Sequence, residues 1–334
     1  MGFLQGITVL DLSSVGPASR ASRWLADYGA SVVKVGPKDP ALQIEPPFHS
    51  YGAHRGMSRS QFDLKDPGDL AAFLDLAMRA DVLIESFRPG VVAKLGIGYD
   101  DVNARNPRIV YCSTSGYGQA GPRSLWAGHD LNYLAMTGFL ASTQPRGDGG
   151  PPIPGATVAD SAGGGMHAVI AILAALVGRA ATGEGAYLDV SVADGVLALM
   201  ALHVDEYLAT GEVPHNVLTG RYACYDAYEA SEGGWLAVAA IEPRFWANLC
   251  RLVGLDRWAA RQTDDAVQDE IRADLRAAFK TKTRDEWTSL LAAADTCVTP
   301  VLGVDEVDVL TVDATHPDHG TFRQMAPTLA GTVR

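Results

Sequence analysis

The sequence predicts an α/β protein that opens with a doubly wound parallel sheet and continues into a second, smaller α/β domain. Three observations carry this. Ile7–Leu12 and Ser31–Val35 are short β-branched runs flanking a helical stretch, a β-α-β unit in about 30 residues. Asp81–Glu85 and Pro107–Ser113 repeat the strand pattern after helical or turn-rich segments. From Gly211 to Thr219 the composition becomes linker-like, with Pro214 and Asn216, and a new run of elements follows. The predicted division is a large Rossmann-like domain of residues 1–210 plus 305–334 and a small α/β domain of residues 211–304.

The elements follow in order. Ser13–Pro17 turns the chain, Ala18–Tyr28 has helical spacing through Ala21, Trp24 and Leu25, and Gly29 suits a C-cap. No GxGxxG follows the first strand, so a nicotinamide dehydrogenase loses its main support. Gly36–Ser60 reads as a loop; its His49, His54, Arg55 and Arg59 fit a phosphate contact or a solvated surface equally well. Asp69–Ala80 is an amphipathic helix. Ligands in open α/β sheets gather at the carboxyl ends of strands, so Arg88 and the Gly116–Gly121 loop are expected to line one crevice.

A polar turn, Gly128-His129-Asp130-Leu131-Asn132-Tyr133, precedes Val158-Ala159-Asp160-Ser161-Ala162-Gly163-Gly164-Gly165. Met166, Val169, Ile170, Leu173, Leu176 and Val177 then recur at helical steps and predict a core-facing helix. His129, with an ordinary pKa near 6.5, is a proton carrier or a structural histidine. Asp160 is a proton carrier or a helix N-cap, and His167 reads as a packed core histidine. The glycines would let a ligand approach backbone N–H groups that lack intrahelical partners, a place for an oxyanion. Ala186–Ser191 is a strand and Val192–Ala209 a helix. In the second domain Trp235–Ile241 is a strand, and Pro243 suits the first turn of a helix ending before Gly254. Glu242 would complement that helix N-terminus. Ala266–Lys280 and Arg284–Ala293 are helices, and Val301–Leu310 returns toward the first domain.

Composition narrows the function classes. The chain has 334 residues, 47% hydrophobic and 20% charged, enough for a large core. A net charge of −12 argues against non-specific nucleic-acid or anionic-membrane binding. Cys112, Cys224, Cys250 and Cys297 form no CxxC pair, so neither disulfides nor a zinc site is expected, and no metal is assigned. Met1–Gly6 lacks a signal-peptide pattern, and no membrane-spanning stretch is expected; a cytoplasmic enzyme is the expectation.

Leu83-Ile84-Glu85-Ser86-Phe87-Arg88-Pro89-Gly90, Lys94-Leu95-Gly96-Ile97-Gly98, Asn106–Tyr111 and Gly116-Tyr117-Gly118-Gln119-Ala120-Gly121-Pro122 together resemble the family III CoA-transferase (CaiB/BaiF) group. The match runs from about Ile7 to Ala247. The turn at Gly128–Tyr133 and the string Ala240-Ile241-Glu242-Pro243-Arg244-Phe245 are similar to its α-methylacyl-CoA racemase branch. The resemblance implies the family III fold and an interlocked homodimer. It implies His129 and Asp160 as bases on opposite faces of the substrate Cα, with Glu242 supporting His129 and the N–H groups after Asp160 facing an enolate oxygen. The implied reaction is racemisation or epimerisation at C2 of 2-methyl-branched acyl-CoA thioesters, with coenzyme A as part of the substrate and no prosthetic group. Arg88, with Lys94, would contact the nucleotide or phosphates, and Asp130 and Tyr133 the pantetheine arm; Gly163 and Gly164 would approach the thioester. The alternative is a CoA transferase using Asp160 as nucleophile, a branch that does not typically carry the His129 turn. A third possibility is a non-catalytic acyl-CoA-binding relative. Where the family commonly has an acidic residue before a proline near the second strand, this chain reads Val35-Gly36-Pro37-Lys38.

Overall fold

The computed structural model describes residues 2–44, 47–50, 56–143, 149–316 and 318–327; His54 and Arg55 lie outside them. The chain divides into two compact units: Met1–Ala141, Pro151–Leu202 and Val309–Arg334 form the first, and Ser142–Gly150 with His203–Asp308 the second.

The first unit is built on six parallel strands: β1 (Thr8–Asp11), β2 (Ser31–Gly36), β3 (Ser58–Gln61), β4 (Val82–Glu85), β5 (Val110–Ser115) and β6 (Ala186–Ser191), ordered β3-β2-β1-β4-β5-β6. Side chains alternate across a strand, and both faces are buried. Val9, Val82, Ile84, Val110 and Cys112 face one way, against Ala18, Ala21 and Leu25 of α1 (Gly16–Asp27). Leu10, Leu83 and Tyr111 face the other way, against Phe73, Leu74 and Ala77 of α2 (Pro67–Ala77). The short helices α3 (Val91–Lys94) and α4 (Tyr99–Asn103) follow β4, and Val102 joins that second face. This is why the central strands read as continuous apolar runs. β3 begins inside the segment expected to be a loop and ends one residue beyond it. Its Ser-Arg-Ser-Gln sequence is polar because it is an edge strand with little to bury.

The carboxyl end of β1 carries a buried ion pair. Lys34 Nζ donates to Asp11 Oδ2 at 2.6 Å and to Ser19 Oγ at 2.9 Å. The Ser13 N–H and hydroxyl both donate to Asp11 Oδ1. Glu85, buried at the end of β4, accepts the Phe87 N–H at 2.7 Å. Burial pushes its carboxyl up to about 7, opposed by hydrogen bonds from Ser113 and Phe87, with the Asp189 charge raising it further.

After α5 (Asp130–Met136), residues Ala159–Met166 are π-helical and run straight into α6 (His167–Thr182). The three glycines explain how this wide turn packs. A Cβ on Gly163 would lie 2.7 Å from Val196 Cγ2, and one on Gly164 would lie 2.4 Å from Pro17 Cβ. A Cβ on Gly165 would lie 2.9 Å from the Trp24 ring. Their absent side chains therefore serve close backbone packing against α1 and α7 (Val192–Leu199).

Only part of the predicted stripe on α6 faces the core. Ala168, Val169 and Ile172 are buried, but Met166, Ile170 and Val177 are exposed, the last at 73%. His167 is also exposed rather than packed in the core. The helical run Ala159–Thr182 is 24 residues long and apolar enough to cross a membrane by length and composition, contrary to expectation. Its packing of Val169 and Ile172 beneath the sheet makes it a core helix with a second apolar face. The single helix expected over Val192–Ala209 breaks at Met200, into α7 and α8 (Ala201–Thr210). A terminal hairpin, β10 (Thr311–His316) with β11 (Gly320–Met325), completes the first unit.

The second unit has an antiparallel sheet of β7 (Tyr225–Glu229), β8 (Trp235–Ala239) and β9 (Val298–Pro300) in that order. Against it pack α9 (Pro243–Leu252), α10 (Gln268–Phe279) and α11 (Arg284–Leu291) through Trp246, Leu249, Ile271, Leu275, Phe279 and Trp287. The Trp246 indole N–H donates to the Trp258 carbonyl at 2.9 Å, satisfying the one polar atom of a fully buried ring.

Two stability outcomes follow from this packing and burial. Gly164→Ala is expected to lower unfolding free energy by about 1–3 kcal/mol, the usual cost of overpacking, measured by chemical denaturation. For Glu85, a raised folded pKa contributes stability below the unfolded value of 4.5 that is lost as pH rises through about 7. Denaturation at pH 5 and pH 8 should therefore show the wild type losing on the order of 3 kcal/mol relative to Glu85→Gln, and parallel curves would refute it.

Candidate active site

The site assembles around the start of α5. His129 occupies its N-cap with an extended backbone, and its N–H donates to Asn132 Oδ1 at 3.0 Å. That bond satisfies the cap through the backbone and leaves the exposed imidazole clear of it. Asp130, the first helical residue, reaches in another direction: its Oδ1 accepts the Asp160 N–H at 2.8 Å. One hydrogen bond thus ties the residue after His129 to the backbone of Asp160, 30 positions along the chain.

Asp160 is the second residue of the π-helical turn, not its N-cap, and its side chain makes no capping bond. Its half-buried carboxyl is raised above the usual range chiefly by burial; Arg20 opposes this, Asp130 adds to it and His129 opposes it. His129, Asp130 and Arg20 therefore share one electrostatic neighbourhood with the Asp160 carboxyl. Of the N–H groups after Asp160 expected to serve an oxyanion, that of Ser161 is committed, since it donates to the Thr157 carbonyl at 2.9 Å.

Tyr133 braces the turn from below. Its hydroxyl donates to the Gly128 carbonyl at 2.7 Å. Its ring lies so close to Gly116 and Gly128 that a Cβ on either would come within 2.6 and 2.8 Å of it. Burial, then the charges of Asp160, Tyr117 and Asp130, push the phenol up to about 12, so at neutral pH it is a proton-bearing donor and not a base.

Arg20 is a residue the sequence reading missed. Its Nε donates to Ser161 Oγ at 2.9 Å, its Nη2 to Thr157 Oγ1 at 2.6 Å and its Nη1 to the Gly16 carbonyl at 3.3 Å. The signal was an arginine inside the first helix, in the register of small residues that pack on the glycine run; it pointed to a neighbour only once that packing was known.

Arg88, exposed just past β4, lines a cleft of about 910 Å³. Its walls include Ser14 beyond β1, Pro37 and Lys38 beyond β2, and Asp63 and Lys65 beyond β3. This is the carboxyl-end crevice between β1 and β4, where the strand order reverses. Lys38 is ion-paired with Asp69 at 2.6 Å. Lys94 ends α3 and is exposed; its neighbour Leu95 lines the cleft while Lys94 does not. Arg59 lines an adjoining cavity of about 420 Å³ with Lys34, Gln43 and Gln61. The Gly116–Gly121 loop contributes nothing to the Arg88 cleft among the described residues, which corrects the expectation of one shared crevice. It turns toward β6, where the Asp189 carboxylate accepts the Gln119 N–H.

Glu242 lies in the second unit, exposed at the N-cap of α9 and making no capping hydrogen bond. Arg244, two residues on, is ion-paired with Asp295.

The sequence model of CoA-transferase family III matches residues 4–327. The human alpha-methylacyl-CoA racemase is 36% identical over 325 residues, covering 96% of this chain and 81% of its own length. The acetyl-CoA:oxalate CoA-transferase of Acetobacter aceti is 32% identical over 330 residues, covering 91% and 82%. Among solved structures, a variant of Rv3272 from Mycobacterium tuberculosis superposes with a TM-score of 0.81 at 28% identity, covering 96% of this chain and 90% of that one. With a family match along nearly its whole length and relatives above 30% identity, the chain belongs to CoA-transferase family III.

Proposed function

We propose that this family III enzyme interconverts the two configurations at C2 of a 2-methyl-branched acyl-CoA thioester. The observation that carries this reading is the Asp130–Asp160 hydrogen bond, which couples the His129 turn to the helix bearing Asp160. Of the two, one group removes the Cα proton, the electron pair moves onto the thioester oxygen as an enolate, and the other returns a proton to the opposite face. A general base works best with a pKa near the operating pH, and burial moves Asp160 in that direction. The thioester acidifies the α-proton, so this chemistry calls for no prosthetic group; coenzyme A enters as part of the substrate. Arg88 would meet the nucleotide end of CoA in the cleft at the strand ends, with Lys94 at its margin, while Asp130 and Tyr133 border the pantetheine arm. Glu242 would support His129 by hydrogen bonding.

The Rossmann-like description of the first unit is supported by the strand order. An interlocked homodimer is supported by the exposed apolar residues Met166 at the end of the π-helical turn, Ile170 and Val177 on α6, and Leu202 and Leu208 on α8. The runner-up, a CoA transferase with Asp160 as nucleophile, is favoured by the similarity to the oxalate enzyme. His129 separates the two, because acyl transfer through one carboxylate needs no opposing base.

Incubating (R)- or (S)-2-methylacyl-CoA in deuterated water without an acceptor acid should give α-deuterium incorporation with loss of configuration. Absence of exchange, together with acceptor-dependent thioester transfer, would replace the racemase with the transferase. His129→Ala should slow racemisation by roughly 10²–10⁴-fold, the usual contribution of a general base, with CoA affinity little changed; an unaltered rate would remove the two-base mechanism.

A further inference from the structure

The turn that leaves β4 is gripped from behind by a side chain that the proposed chemistry does not use. Glu85 ends that strand and is 1% exposed. Its Oε2 accepts the Phe87 N–H at 2.7 Å, and its carbonyl accepts the Thr114 hydroxyl at 3.2 Å. Ser113, opposite it on β5, also hydrogen-bonds its carboxyl. The three residues that follow, Ser86, Phe87 and Arg88, all line the cleft of about 910 Å³.

This short run is held at both ends. On the far side the Arg88 carbonyl accepts the Val91 N–H at 3.1 Å, after Pro89 and after Gly90 has turned the chain at a φ of +82°. Between these anchors Arg88 is exposed, and among the described residues its guanidinium has no hydrogen bond or ion pair to direct it. Its place at the cleft therefore comes from the main chain, and the nearest hold on that main chain is the Glu85 carboxyl on the Phe87 N–H. A backbone donor that loses its acceptor in such a place draws the chain toward another one. A carboxyl accepts this bond whether ionised or protonated, so the hold does not depend on its charge.

We propose that Glu85 is a positioning residue for coenzyme A: its buried carboxyl fixes the main chain of Ser86–Arg88 and so sets the Arg88 guanidinium at the rim of the cleft. The inference rests on the reading of that cleft as the CoA site and adds the residue that shapes it.

The test measures dissociation constants for free CoA by calorimetry on the full chain. Glu85→Met keeps the length of the side chain and removes the acceptor, whereas Glu85→Gln keeps an acceptor oxygen. Glu85→Met should weaken CoA binding by about five- to tenfold, the equivalent of one hydrogen bond, and Glu85→Gln should recover most of that loss. In α-deuterium exchange of a 2-methylacyl-CoA the loss should fall on KM, with kcat kept within about twofold. Because Glu85 acts through Arg88, adding Glu85→Met to Arg88→Gln should cost less than about twofold beyond Arg88→Gln alone. Amide hydrogen exchange reads the hold directly: Phe87 should exchange roughly tenfold faster in Glu85→Met and near the wild-type rate in Glu85→Gln. Wild-type CoA affinity in Glu85→Met, or losses that multiply in the double variant, would overturn the proposal. Unchanged CoA affinity in Arg88→Gln, with Phe87 still released in Glu85→Met, would instead sink the reading of the cleft and leave the hold on the turn standing.

Discussion

The backbone-close packing of Gly163, Gly164 and Gly165 is the constraint on which the first unit depends. Three consecutive residues without side chains let one helical turn touch α1 through Pro17 and Trp24 and α7 through Val196. The reciprocal position is equally tight, since a Cβ on Gly195 would lie 1.8 Å from the Gly163 carbonyl oxygen. With that turn fixed, Asp160 on one side of it and α6 on the other have no freedom of register. The wide π geometry is the form the backbone takes there, and such turns recur where helices carry functional groups.

Electrostatics at the site follow from that placement. The Asp160 carboxyl is withdrawn from water by the packing that immobilises its helix, and Arg20 limits how far its protonated form is favoured. Asp130 spends one carboxylate oxygen on the Asp160 N–H, so a group that could have competed for a proton becomes a strut. Tyr133 supports the same turn from a site where burial keeps its phenol protonated.

Much of this architecture was legible in the sequence. The central strands β1, β4 and β5 were readable because both of their faces are apolar, and the helix after the glycines because its hydrophobic period is long. β3 was not, because an exposed Ser-Arg-Ser-Gln edge carries no pattern. The exposed side of α6 was misread because periodicity reports that a residue is apolar, not which neighbour covers it; Ile170 and Ile172 have the same chemistry and opposite surroundings. His129 and Asp160 stood out through local motifs and family resemblance. Arg20 did not, since its role depends on Ser161 and Thr157, more than 130 positions away. Glu85 hid inside a familiar string, and only its burial makes it unusual.

The buried pair between Asp11 and Lys34 has a consequence for the neighbouring crevice. With Asp11 wholly enclosed and Lys34 bound to it at 2.6 Å, the positive charge nearest the floor is neutralised by its own partner. Attraction for a polyanionic ligand there must come from the solvent-facing rim, from Arg88, Arg59 and Lys65. Rim charges are screened over a Debye length of roughly 8 Å at physiological ionic strength. Capture of a phosphate-bearing ligand by this crevice should accordingly weaken as salt rises, while the walls that shape it stay unchanged.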